Sequence, residues 1–325
     1  MGFIHKPVIK LYPGYGHAEH VIIYGHALSL SPTPRKKYSK FFLLNLLALI
    51  RLFMIQPIKG AAIQLSWKDS LINTSSDYDG FIKFNWKPET APEFGWHQIS
   101  AQLLDTHDNI TATAFGSVLI PHSTQFGFIS DIDDTFLISH SANLRKRLSV
   151  LFTRNAHTRK PFEGVVKHYQ LLAKAHTKED EPNPFFYVSS SEWNLYDYIA
   201  EFIRVNGLPK GVLLLSSMKK FWQLLSSGQK SHGNKFFRIV RIMEAFPKQK
   251  FILLGDSSQQ DPVIYKSIVE HFPGRIHAVY IRDIYKKKSR SVQQILLTLE
   301  ETGIPCCFFT HSAEAILHSK KIGLI

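Results

Sequence analysis

Hydrophobic and polar positions alternate singly in the first part of the chain. In FIKFNW, residues 81–86, Phe81, Lys83 and Asn85 fall on one face and Ile82, Phe84 and Trp86 on the other. That is the two-residue period of a half-buried strand. HVIIYGHALSL (20–30), GAAIQLSWK (60–68), WHQISAQLLD (96–105) and ITATAFGSVLI (110–120) read as further strands. NTSSDYDG (73–80) and THDN (106–109) are the turn-forming stretches between them. Short strands at this spacing predict a mostly-β, sandwich-like domain over residues 1–125. One segment breaks the pattern. FFLLNLLALIRLFMI, 41–55, is the most apolar run and is expected to be a helix, too short to span a bilayer and carrying Asn45 and Arg51. Basic RKKYSK precedes it, so it reads either as a helix packed on a sheet or as one lying in a lipid interface.

From residue 126 the period changes. The apolar runs FGFIS, FFYVS, GVLLL, FILLG, HAVYI and CCFFT alternate with helical patterns. In NLYDYIAEFIRVNG, Leu195, Tyr196, Ile199, Phe202 and Ile203 share one face, and Gly207 supplies the stop. Strands alternating with helices predict an α/β domain over 126–325, built on a parallel, doubly wound sheet. Sites in such sheets lie outside the carboxyl ends of the strands.

Those ends carry the chemistry. FGFI runs into Ser130-Asp131-Ile132-Asp133-Asp134-Thr135, three acids within four positions beside a core. Carboxylates placed there are costly unless paired. FFYV is followed by Ser189, Ser190 and Ser191, and FILL by GDSSQQD, 255–261. Lys235 opens a helix whose apolar stripe is Phe236, Ile239, Val240 and Met243. Acids from two strands suit a hard divalent cation such as Mg²⁺. With a lysine and a hydroxyl at hand, the set suits phosphoryl transfer through an aspartate nucleophile and a neighbouring acid/base.

The motifs carry a resemblance. Asp131-Ile132-Asp133-Asp134-Thr135 matches the DxDxT signature of haloacid dehalogenase superfamily phosphatases. Ser189, Lys235 and GDSSQQD resemble that superfamily's second, third and fourth motifs, in order. SDIDDT, FFYVSSSEWNLY, FPKQKFILLGDSSQQDPVIY and RIHAVYIRDI are similar to the catalytic domain of the actin-patch phosphatidate phosphatase family, over about residues 126–285. DYDGFIKF and GWHQI resemble, more weakly, the β-rich region that precedes this domain in bacterial members. The resemblance implies a Rossmann-like parallel sheet and a Mg²⁺-dependent enzyme that converts phosphatidate to diacylglycerol through an aspartyl-phosphate. It implies Asp131 as nucleophile and metal ligand, and Asp133 as acid/base and, through its carbonyl, metal ligand. Ser189, Lys235 and Thr135 would bind phosphate, Asp256 the metal, and Asp261 would stand as an outer-shell carboxylate. KSHGN precedes Lys235 where relatives carry a His-Lys pair, which keeps Lys230 as the alternative lysine. Asp134 receives no role.

Plainer readings compete. Ser189 to Glu192 has capping-box spacing; Asp261 before Pro262 suits a helix start; Lys235 reads equally as a solvated helix lysine. A calcium loop fails, because its Gly and Glu positions hold Phe136 and Ala142. No HExxH, GxSxG or phosphate-loop pattern is present. GYGH, 14–17, reads as a glycine-rich turn, and His17 and His20 beside it read as surface residues.

Composition changes the picture in two places. The 325 residues carry a formal net charge of +13. Residues 1–125 hold 11 Lys and Arg against 8 Asp and Glu, so the excess sits mainly after residue 125, including LRKRL and TRNAHTRK (144–160). This favours an anionic partner, whether nucleic acid, a phosphorylated substrate or an anionic membrane surface, without choosing among them; no nucleic-acid motif accompanies it, and the resemblance points to a phosphorylated lipid. The two cysteines, Cys306 and Cys307, are adjacent and form no CxxC, and MGFIHKPVIK lacks a signal peptide's apolar core. A cytoplasmic protein, peripheral to membrane, is expected. The remaining alternatives are a lipid- or phosphoprotein-binding module with a vestigial core, and a phosphatase for a non-lipid substrate.

Overall fold

The computed structural model describes residues 7–29, 56–68, 70–133, 135–136, 160–178, 181–217 and 232–325. The proposed helix 41–55, Asp134, Lys230 and nearly all of the basic stretch 144–160 lie outside them. The chain divides into two compact units, one formed by described residues up to His122, the other by those from Ser123.

The first unit is one mixed sheet. Its strands are β1 (Val8–Leu11), β2 (Gly14–His17), β3 (His20–Leu28), β4 (Ala62–Trp67), β5 (Ser70–Ser75), β6 (Phe81–Trp86), β7 (Gly95–Leu104) and β8 (Ile110–Ile120). They run in the order β1-β3-β2-β8-β7-β4-β5, with β6 added to β3. Among the described strands of this unit, only β2 and β8 pair in parallel. The Thr74 hydroxyl of β5 donates to the Lys83 carbonyl of β6 at 3.3 Å, so the sheet curls until its far strands meet. One sheet wrapped on itself thus does the work expected of a sandwich. Its core takes Ile9, Ile23, Leu65, Phe84, Ile99 and Val118 from six different strands. FIKFNW alternates as its pattern requires, with Ile82 and Phe84 buried and Lys83 and Asn85 exposed. GYGH is strand, not turn. A Cβ at Gly16 would lie 2.3 Å from the His20 carbonyl oxygen, so glycine there lets β2 approach β3.

The second unit is six parallel strands: β9 (Gly127–Ser130), β10 (Phe185–Glu192), β11 (Gly211–Ser216), β12 (Phe251–Asp256), β13 (Ile276–Arg282) and β14 (Cys306–Phe309). Each apolar run of the sequence is one of them. Their helices are α1 (Val165–Ala173), α2 (Tyr196–Val205), α3 (His232–Ala245), α4 (Asp261–His271), α5 (Ser289–Glu301) and α6 (Ser312–Lys321). The spatial order is β11-β10-β9-β12-β13-β14. Counted from β9 that is 3-2-1-4-5-6, the doubly wound order, in which the direction of winding reverses between the first and fourth strands. The switch point therefore falls between β9 and β12. α1 packs on α6, while α3, α4 and α5 pack in succession. α2 buries Tyr196, Ile199, Phe202 and Ile203, and Gly207 follows with φ of 68°. Both cysteines are free and buried in β14.

Candidate active site at the switch point

β9 is four residues long and wholly buried, and it ends directly before Asp131. The Asp131 N–H donates to the Leu254 carbonyl of β12 at 2.8 Å, which pins the start of the acidic loop against the neighbouring strand. Asp131 is fully buried. Its Oδ1 accepts from Lys235 Nζ at 2.7 Å. Its Oδ2 accepts from the Thr135 hydroxyl and from the Gln259 amide, each at 3.3 Å. Two residues on, the Asp133 carboxylate accepts from the hydroxyls of Ser189 (3.0 Å) and Ser191 (2.9 Å), both in β10. The Asp133 carbonyl accepts from Gln259 Nε2 at 3.3 Å.

β12 brings the opposing acids. Asp256 closes that strand, and its Oδ1 accepts from the Ser258 N–H and hydroxyl. Its Oδ2 accepts from Thr135 at 3.5 Å. Asp261 opens α4, takes the Asp256 N–H at 3.2 Å and receives a second bond from Lys235 Nζ. Gly255 makes room for this: a Cβ there would lie 2.6 Å from Asp261 Oδ2. Oxygens of Asp131, Asp256 and Asp261 all fall within 4.8 Å of one another.

The electrostatics follow from burial. Desolvation raises the pKa of Asp131 well above the usual carboxylate range; Lys235 opposes this, and Asp261, Asp256 and Asp133 add to it. Asp256 is raised to about 7, by burial first and by Asp261 second. Burial works against the charge of Lys235, but Asp131 and Asp261 outweigh it and raise its pKa. The ammonium group of Lys235 thus bonds two of three clustered buried acids, which leaves an excess of negative charge that a cation would relieve.

The expected residues meet in one place. Asp131, Thr135, Asp256, Asp261 and Lys235 form one hydrogen-bonded cluster, joined through Gln259 to Asp133, Ser189 and Ser191. Lys235 is 1% exposed, which removes its solvated reading. The Ser189–Glu192 capping box does not form, because both residues belong to β10. Asp261 sits inside α4 with Gln260 at the cap position, and its carboxylate serves Asp256 and Lys235.

Four contributors escaped the sequence reading. Gln259 bridges Asp131 and the Asp133 carbonyl, and Ser191 holds Asp133. Both lie inside quoted motifs and were readable only as neighbours of other residues. Arg282, 2% exposed between the rings of Phe162 and Phe309, donates to the Thr135 carbonyl at 3.0 Å and so holds the acidic loop from behind. Arg238 stands one turn after Lys235 on α3. The loop after β12 is braced as well: Ser257 donates to Asp283, and Lys288 Nζ donates to the Ser258 carbonyl at 3.0 Å.

Comparison with known proteins adds the following. Residues 126–283 match the family model described as phosphatidate phosphatase APP1, catalytic domain. The phosphatidate phosphatase APP1 of Saccharomyces cerevisiae is 32% identical over 177 residues, covering 54% of this chain and 28% of that protein. An uncharacterised protein of Schizosaccharomyces pombe is 23% identical over 194 residues, covering 57% of this chain and 30% of that one. The match thus spans less than a third of either relative. Among solved structures, a carbohydrate acetylesterase from Xanthomonas citri covers 94% of this chain and is covered over 72% of its own, at 9% identity and a TM-score of 0.29, too low to carry an argument.

Proposed function

Because residues 126–283 match the family model of the phosphatidate phosphatase APP1 catalytic domain, we propose that this chain is a phosphatase of haloacid dehalogenase type that hydrolyses a phosphomonoester of a lipid, phosphatidate first among them. The observation that carries the reading is the cluster itself. Asp131 and Asp133 leave β9 beside Asp256, Asp261 and Lys235 at the switch point of the sheet, all inside the matched segment.

The residues divide the work as follows. Asp131 attacks phosphorus, and a P–O bond to its carboxylate forms as the bond to the lipid oxygen breaks. Asp133, oriented by Ser189 and Ser191, gives its proton to the departing alkoxide. It then takes a proton from the water that attacks the aspartyl-phosphate, which releases phosphate and restores the Asp131 carboxylate. Lys235 holds Asp131 in line and balances its charge, and the hydroxyls of Ser189 and Thr135 turn from Asp133 and Asp131 to phosphate oxygens when substrate binds. A divalent cation fits the carboxylate oxygens that Asp131, Asp256 and Asp261 bring within 4.8 Å of one another; Asp131, Asp256 and the Asp133 carbonyl would hold it, with Asp261 outside them. When bound, such an ion supplies neutralisation of the acids and of the phosphate oxygens.

A bilayer-borne substrate is supported by the surface beside the site. Tyr285, Lys286, Lys287 and Arg290 are exposed next to Lys288, which itself bonds the loop after β12. No helix among the described residues is long and apolar enough to cross a membrane.

The test is a phosphate-release screen with Mg²⁺ across lipid, sugar, nucleotide and protein phosphates, with Asp131→Asn beside wild type. Release from phosphatidate, reduced more than about a thousandfold in the variant with its circular dichroism unchanged, is the expected result. Vesicle binding with no release from any substrate would instead mean a binding module.

A further inference from the structure

Lys235 is a poor sole anchor for a phosphate. Its ammonium carries three protons, and two are given to Asp131 and Asp261. The same helix offers a second cation. Positions 235 and 238 are three apart on α3 and so share a face.

Arg238 Nη1 donates to the Ser216 hydroxyl at 3.2 Å. Ser216 is the last residue of β11 and pairs in register with Glu192, three residues beyond Ser189. The guanidinium is thereby fastened at the strand-carboxyl edge where the site lies. Its Nε and Nη2 atoms are buried and have no hydrogen-bond partner among the described residues. Burial is the main cause that lowers its pKa to about 10, with Arg241 adding to it, while Asp131 is close enough to pull the other way. The group stays charged at neutral pH.

A buried guanidinium with open donors costs stability. The open pair is also specific. Nε and Nη2 form the side edge of the fork, the edge with which Arg204 of this protein grips the two oxygens of Glu201, at 2.8 and 2.7 Å. Two anionic oxygens on one centre match that edge, and a phosphomonoester presents them.

We infer that Arg238 is a second cationic anchor for the phosphate of the substrate, gripping two of its oxygens through Nε and Nη2 while Lys235 stays committed to the acids. The assignment rests on the phosphatase reading for its substrate, but phosphate binding tests it without turnover.

The experiment titrates inorganic phosphate into the full chain with Mg²⁺ by calorimetry, for wild type, Arg238→Met and Arg238→Lys. Steady-state kinetics follow, on a soluble phosphomonoester and on phosphatidate in detergent micelles. The methionine variant is expected to bind phosphate at least about tenfold more weakly, with a matching rise in KM on both substrates and a smaller change in kcat. The lysine variant, charged but without the fork, falls between. Because an uncompensated buried charge is removed, the melting temperature of Arg238→Met holds or rises. Unchanged phosphate affinity overturns the inference. So does a loss of affinity that comes with a lower melting temperature, which marks Arg238 as a structural cation, and so does a wild type that binds no phosphate. A wild type that binds phosphate but hydrolyses nothing defeats the phosphatase reading and leaves the anchor judged by the titration.

Discussion

At the scale of single residues, the site is a problem of charge. Asp131 and Asp256 are raised by desolvation, Asp256 to about 7. Each therefore holds its proton more tightly in the fold than in the unfolded chain. Between about pH 4 and pH 7 the native state binds more protons, so the metal-free protein loses stability as pH rises through that window. A divalent cation competes with those protons and is bound best once they have left. The melting temperature with a chelator is expected to fall from pH 5 to pH 8, and Mg²⁺ to raise it at pH 8 but hardly at pH 5. An equal Mg²⁺ increment at both pH values would count against the acids as ligands. Asp133 poses a separate question, because the hydroxyls of Ser189 and Ser191 donate to its carboxylate. Asp133→Asn keeps those partners but carries no transferable proton. A drop in kcat of about 10²–10⁴ is expected, with phosphate affinity little changed.

At the scale of elements, the close packing of the β12 end against the first turn of α4 sets the geometry. Gly255 has Asp261 on one side and the Tyr265 ring on the other, with a Cβ predicted 2.6 Å from Asp261 Oδ2 and 2.9 Å from Tyr265 Cε2. Tyr265 is itself tied to the Leu254 carbonyl at 2.8 Å, so neither neighbour yields freely. Gly255→Ala should cost about 1–3 kcal/mol by denaturant unfolding. It should also lower turnover, by displacing the carboxylate that receives Lys235 and the Asp256 N–H. Retention of full stability and activity would show that α4 can shift without harm. The acidic loop and the loop after β12 are likewise held by elements beyond the chemistry, Arg282 of β13 for the first and Asp283 and Lys288 for the second. Preorganisation of this kind is what charge-stabilising catalysis requires.

At the scale of the molecule, the charge of +13 finds an outlet beside the site. Lys286, Lys287 and Arg290 are exposed and adjoin Lys288. Each basic side chain near an anionic bilayer contributes on the order of 1 kcal/mol. Replacing the three with alanine should weaken co-sedimentation with phosphatidate-containing vesicles by about 100-fold and lower turnover there. Turnover of a soluble phosphomonoester should stay within about twofold, and added salt should reproduce the vesicle defect in wild type. An equal loss on the soluble substrate would place these residues in the site and not on a membrane-facing surface.

Period and punctuation along the chain were enough to find the strands that matter, because strand alternation and buried apolar runs are local properties of the backbone. The acids after β9 and β12, Ser189 and Lys235 were legible for the same reason: they stand where such runs end. GYGH was misread as a turn, since glycines that admit a neighbouring strand look in sequence like glycines that bend a chain. The capping reading of Ser189 failed because β10 runs on through Glu192. What only the tertiary structure decided is partnership. Lys235 meets Asp131 across 104 residues and Gln259 meets it across 128, distances closed by strand order and not by any local rule. Sequence alone thus determined which groups stand at the carboxyl edge. The fold decided that one lysine serves two acids, that two serines hold the third, and that the guanidinium of Arg238 is left with an open edge.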